Sequence, residues 1–179
     1  MNLTECILSR RSIRKYKQIN ISDDIILELI DSARLCQSAK NRQPWFFKIL
    51  RNKEKQKIAE LMHQKIRDAK LENFNSSVEN SASIIENAPV LILVFKEKDD
   101  QWITSDMLSI GACIEHICLK SVDIGLGSLW IRDVYIAEKE ILEETGNGNL
   151  ELVSGIAIGI PDECPSERPR KSINDIILL

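Results

Sequence analysis

The chain has 179 residues, 44% of them hydrophobic and 28% charged, with a formal net charge of -3. That length supports one domain, spanning 1–179, with a real core rather than two domains. A mildly acidic chain lacks the broad basic face that general nucleic-acid binding needs. No basic-then-apolar leader opens at Met1, and the longest apolar run, Val90 to Phe95, is far too short to span a bilayer. The expected setting is cytoplasmic, with neither membrane nor nucleic acid as a partner. Five cysteines, at 6, 36, 113, 118 and 164, give an odd count with no CxxC pair. This is the pattern of reduced thiols in a cytosol, each expected to be a small buried hydrophobe.

Taken in order, Thr4 is the expected cap of a short helix whose Leu3, Ile7 and Leu8 share a face. That helix delivers the chain into Ser9-Arg10-Arg11-Ser12-Ile13-Arg14-Lys15-Tyr16-Lys17, where five cations fall within nine residues. Clustered guanidinium groups repel one another unless an anion compensates, and Arg holds phosphate oxygens bidentately. Two readings stay open here: a site for a small phosphorylated ligand, or a solvated basic turn. A second helix starts at Ser22, with Asp23 and Asp24 at the positive end of its dipole and Ile26, Leu29, Ile30 and Ala33 on its core face. The loop from Cys36 to Trp45 is rich in small and amide residues. Its Ser38, Asn41 and Gln43 could read the heteroatom edge of a flat ligand, or form a plain helix-to-strand connection.

Trp45 to Leu50 reads as a strand, and Lys53 to Ala69 as a helix with Ile58, Leu61, Met62 and Ile66 on one side. Asn73 to Ser83 is either loop or an exposed helix start. Ala88-Pro89 ends that element before Val90 to Phe95, a strand buried on both faces. Ser105-Asp106 opens the most apolar helix, central in the fold and a candidate subunit interface. Gly125-Leu126-Gly127 follows a helix rather than a strand, so it is no dinucleotide loop, and Gly125 is read as a helix cap. A short strand, Ser128 to Ile131, a surface helix, Ala137 to Thr145, and an apolar strand, Leu150 to Gly159, complete the pattern. The tail adds a second basic cluster, Arg168-Pro169-Arg170-Lys171, and an apolar end, Ile173 to Leu179, which should dock on its own domain or on a partner subunit.

The chain contains no HExxH, no GxSxG and no GxxxxGK[ST]. His63 and His116 sit on predicted helices without obvious partners, and the acidic residues show no evident pairing. An enzyme built this way would leave the difficult chemistry to a cofactor and supply position and electrostatics.

Together the segments Arg10 to Tyr16, Ser38 to Trp45, Ala88-Pro89, Gly125 to Ile131, Ile158 to Pro161 and Arg168 to Arg170 resemble, in order and spacing, the nitroreductase family of FMN-dependent oxidoreductases. The resemblance implies an α+β fold with a central, mainly antiparallel sheet flanked by helices, and a homodimer whose C-terminal segments are exchanged between subunits. It implies FMN as cofactor, held by Arg10, Arg11, Ser12, Arg14, Leu129, Trp130, Arg168 and Arg170, with Ser38, Asn41 and Gln43 arriving from the other subunit. Arg14 is placed at the pyrimidine edge of the flavin as electrostatic support, and no side chain is catalytic. Arg11 and Lys15 also admit reading as solvated surface. Ile131-Arg132-Asp133 stands where many members carry glycines that approach the flavin. The implied activity is ping-pong hydride transfer from NAD(P)H through FMN to a small nitroaromatic or quinone-like acceptor. The alternative is a flavin carrier or sensor without reductase turnover, and a third reading, a nucleic-acid arm at Arg10 to Lys17, is opposed by the negative net charge.

Overall fold

Val90 to Phe95 carries no polar alternation because both faces of the strand are covered, each residue being 0–1% exposed. In the computed structural model, which describes residues 1–69 and 75–178, this run lies near the middle of a four-stranded sheet. Strands β1 (Trp45–Leu50), β2 (Val90–Glu97), β3 (Gly127–Ile131) and β4 (Leu150–Gly159) run in the order β1-β2-β4-β3, every neighbouring pair antiparallel. Six α-helices accompany it among the described residues: α1 (Leu3–Ser9), α2 (Asp23–Arg34), α3 (Asn52–Ala69), α4 (Asn75–Asn87), α5 (Ile103–Asp123) and α6 (Glu138–Thr145). The architecture is α+β, as expected.

The two-residue period of β2 divides the core in two. Leu91, Leu93 and Phe95 meet Ile58, Met62, Ile85 and Ile141 from α3, α4 and α6. Ile92 and Val94, on the opposite face, meet Ile26 and Leu29 of α2 and Ile110, Ile114 and Ile117 of α5. Each such side chain contributes about 1.5–3 kcal/mol by leaving water.

Several local expectations are corrected. Asn2, not Thr4, caps α1: its side chain accepts the Glu5 N–H while the Glu5 carboxylate accepts the Asn2 N–H. Helix α5 begins three residues before Asp106, after Trp102, which offers no side-chain cap. Of the two readings open for the Asn/Ser-rich segment, the helical one holds from Asn75 onward, residues 73 and 74 lying outside the described residues. Four cysteines are buried, but Cys164 is exposed. His63 is not unpartnered: its ring nitrogens lie 3.1 Å from Glu79 and 3.2 Å from Glu86. His116 Nδ1 lies 3.0 Å from the Ser32 carbonyl.

Gly125 does cap α5. It sits at φ +78°, its N–H reaching Val122 O at 3.1 Å and that of Leu126 reaching Ser121 O at 2.7 Å. The apolar face of α1 points away from the chain's own core, with Leu3, Ile7 and Leu8 exposed and only Cys6 buried. Ile173, Ile176, Ile177 and Leu178 of the tail are exposed too. No helix among the described residues is long and apolar enough to cross a membrane.

Candidate functional site: a five-arginine cleft and an amide loop

The basic stretch is threaded across the end of the sheet as an extended ribbon. Ser12 bridges Ser128 at the start of β3 in parallel, and the Ile13 N–H donates to Ser128 O at 3.1 Å. Further on, Tyr16 bridges Pro161 and the Lys17 N–H donates to Ile160 O at 2.9 Å. Two apolar anchors between the cations pin the ribbon: Ile13 and Tyr16 are 7% and 6% exposed. The Tyr16 hydroxyl lies 2.7 Å from Ile13 O and 3.2 Å from Ala157 O. Burial, and then the nearby Glu163 carboxylate, raise its phenol well above the ordinary value, so it stays a donor. With Ile13 and Tyr16 rooted in the fold, the Arg14 and Lys15 side chains between them are left half-buried and exposed, respectively.

There they meet the tail. Arg10, Arg11, Ser12 and Arg14 line one side of a cleft of about 230 Å³, and Pro165, Ser166, Arg168 and Arg170 line the other. Carboxylates compensate two of the five guanidiniums: Arg10 lies 3.3 Å from Glu115 and Arg11 lies 2.6 Å from Glu167. Arg11 also folds back on Leu8 O at 2.6 Å. Arg14 donates to Ser12 O at 3.1 Å, while its own backbone N–H donates to Glu163. Arg14, Arg168 and Arg170 have no carboxylate partner among the described residues. Excess guanidinium donors beside a serine hydroxyl suit a doubly charged phosphate group.

The amide loop lies elsewhere on the chain. Ser38 stands at the start of a short 3₁₀ turn, Ala39–Asn41. Its carbonyl accepts the Asn41 N–H and its hydroxyl the Gln43 N–H, both at 3.0 Å. The Asn41 and Gln43 side chains are exposed on residues at φ +55° and +49°. Gln37, Ser38 and Ala39 line a separate cleft of about 320 Å³ with Leu108, Ser109 and Ala112 of α5. The basic cleft and this one share no lining residue.

The sequence matches the Nitroreductase family over residues 7–160. The chain belongs to that family. An Archaeoglobus fulgidus protein provisionally named as an NADH dehydrogenase/NAD(P)H nitroreductase is 32% identical over 169 residues, covering 90% of this chain and 88% of the relative. A BluB-like flavoprotein of Clostridium difficile is 28% identical, with a TM-score of 0.82 and coverage of 100% and 99% of the two chains. A provisional nitroreductase of Desulfovibrio desulfuricans, crystallised in complex with FMN, shares the fold at a TM-score of 0.81 and 22% identity, covering 100% of this chain and 96% of that one.

Within this nitroreductase fold the remaining expected site residues are on β3. Leu129 is 8% exposed and packed in the core, so its side chain is committed there, whereas Trp130 is 44% exposed. The Trp130 ring lies over α5 at Gly111, where an added Cβ would stand 3.7 Å from Cη2. Sequence reasoning missed the carboxylates that hold the ribbon, Glu163 and Glu167, and the ion pair between Arg42 and Asp106. An Arg inside the amide loop was visible in the sequence. Its partner, 64 residues away, gave no local signal.

Proposed function

We propose that this protein is an FMN-dependent oxidoreductase that carries reducing equivalents from NADH or NADPH to a small electrophilic acceptor of nitroaromatic or quinone-like chemistry. The observation that carries the reading is the cleft in which five arginines and Ser12 meet from opposite ends of the chain. Membership of the nitroreductase family and the NAD(P)H in the name of the Archaeoglobus relative support it. When bound, FMN supplies a two-electron carrier whose ring N5 takes and returns hydride.

The protein supplies grip and charge. Arg10, Arg168 and Arg170 hold the phosphate with the Ser12 hydroxyl, while Arg11, already satisfied by Leu8 O and Glu167, adds field. The cation at Arg14 stabilises negative charge at the pyrimidine edge of the ring. Leu129 contributes through its backbone and Trp130 through its exposed indole. Donor and acceptor occupy one place in turn, which gives ping-pong order.

The working unit in this proposal is a homodimer. Leu3, Ile7 and Leu8 of α1, Leu108 of α5 and the apolar tail are all exposed, and so much apolar surface is costly to leave in water. A second copy covers it, the C-terminal segments are exchanged, and Ser38, Asn41 and Gln43 serve the second copy's cleft.

Anaerobic mixing of the yellow protein with NADH or NADPH tests the reading. Bleaching of the flavin band, and its recovery when a quinone is added, are expected. A band that neither nucleotide bleaches would leave a flavin carrier or sensor and overturn the reductase.

A further inference from the structure

Arg42 sits in the middle of the amide loop, yet its guanidinium reaches away from it. Nε lies 3.1 Å from Asp106 Oδ1, and Nη2 lies 3.2 Å from Asp106 Oδ2 and 2.9 Å from Asp99 Oδ2. Asp106 is 1% exposed, so its carboxylate has exchanged water for this two-pronged partner. The same guanidinium lies 4.8 Å from the centre of the Trp102 ring, with Lys40 Nζ at 5.0 Å from it. The Arg42 side chain thus joins the loop to the first turn of α5 and to the residues just before it.

The backbone it holds is an unusual one. Lys40, Asn41 and Gln43 take φ of +51°, +55° and +49°, a region that L-residues keep only when their surroundings enforce it. The bonds from Asn41 and Gln43 to Ser38 and from Arg42 N–H to Ala39 O are all internal to the loop. The anchors to α5 are Arg42 and the Ala39 N–H on Ser109 Oγ, a long 3.4 Å contact.

We propose that Arg42, clamped by Asp106 and Asp99 over Trp102, is a positioning residue that sets the amide loop in the conformation that aims Ser38, Asn41 and Gln43 at the flavin of the second subunit. The proposal rests on the FMN reading above. A bidentate guanidinium fixes orientation as well as distance. A loop released from it must be ordered again each time flavin binds, and affinity falls by that ordering cost.

The test uses the full chain with Arg42→Met and Asp106→Leu together, because replacing the buried Asp106 along with its cation leaves no buried charge unpaired. The flavin-free melting temperature is expected to stay within about 3 °C of wild type. The FMN dissociation constant is expected to rise about tenfold, and Asn41 and Gln43 amides should exchange hydrogen faster without flavin. Adding Asn41→Ala should cost less in this background than in wild type. Arg42→Lys, which leaves Asp106 a cationic partner, reads the same quantity should the double variant not fold, with a loss of about threefold expected. Unchanged affinity in the variant that folds, or unchanged amide exchange, overturns the clamp while FMN binding by wild type stands. A wild-type chain that takes no FMN overturns the FMN reading, and the proposal with it.

Discussion

Ile13 lies so close over Gly127 that a Cβ added to the glycine would stand 2.6 Å from Ile13 Cγ1. The contact brings the ribbon down onto β3 and leaves Arg10 and Arg14 at the cleft. Gly127→Ala should therefore lift the ribbon, costing about 1–3 kcal/mol from overpacking. In a chain of this size that lowers the melting temperature by about 2–4 °C per kcal/mol, and FMN retention should fall with it. Gly148→Ala, where an added Cβ meets nothing within 4 Å, is the control and should change neither.

Arg10 and Arg170 reach the cleft from opposite ends of the chain. Each charge-assisted hydrogen bond to a phosphate contributes about 1.5–3 kcal/mol, so the double change to Ala should weaken FMN binding by about a hundredfold or more. Flavin content after gel filtration checks this, and a double variant with full occupancy contradicts the phosphate assignment. Arg11→Ala, which removes a side chain already held by Leu8 O and Glu167, should have a much smaller effect.

The amide loop and the basic cleft share no lining residue within one chain, so Asn41→Ala should disturb flavin only in an assembled dimer. Ending the chain after Lys171 removes the exposed Ile173, Ile176 and Ile177 and should yield a folded monomer that has lost flavin. Light scattering with a flavin spectrum reads both. A monomer holding full flavin at working concentration contradicts the shared site.

Burial pushes the Cys113 thiol up to about 12 and the Cys118 thiol up to about 11 from an ordinary value of 9.0. Folding thus holds both thiols protonated where an unfolded chain would ionise them. Their contribution to stability is complete below about pH 9, and it is lost as pH rises through 11 and on towards 12. The melting temperature should decline above pH 9, and less steeply in a Cys113→Ala, Cys118→Ala chain. A thiol reagent at pH 8 should titrate one cysteine, the exposed Cys164, and all five only after denaturation.

Most of the fold was legible because its signals are local. Val90 to Phe95 needs no knowledge of the rest of the chain to read as a doubly covered strand, and Ser22 with Asp23 and Asp24 announces a helix start within three residues. The helix starts that were misplaced, at Thr4 and at Ser105-Asp106, had a competing residue nearby. Asn2 makes the better cap because Glu5 stands where its carboxylate can return the bond, and Asp106 is turned inward to Arg42 instead of capping. The partners of the candidate site were the least legible part. Glu163 reaches the Arg14 and Lys15 backbone across 149 and 148 residues, and Glu79 and Glu86 reach His63 from the facing helix. Periodicity carries no information about contacts of that kind.

The central claim is that the two basic clusters close on the phosphate of a flavin, and the visible spectrum of the purified protein, with the released chromophore identified, tests it most directly. A yellow protein that releases FMN on denaturation, one per chain, is the expected result. A colourless protein that takes up no added FMN would contradict the account.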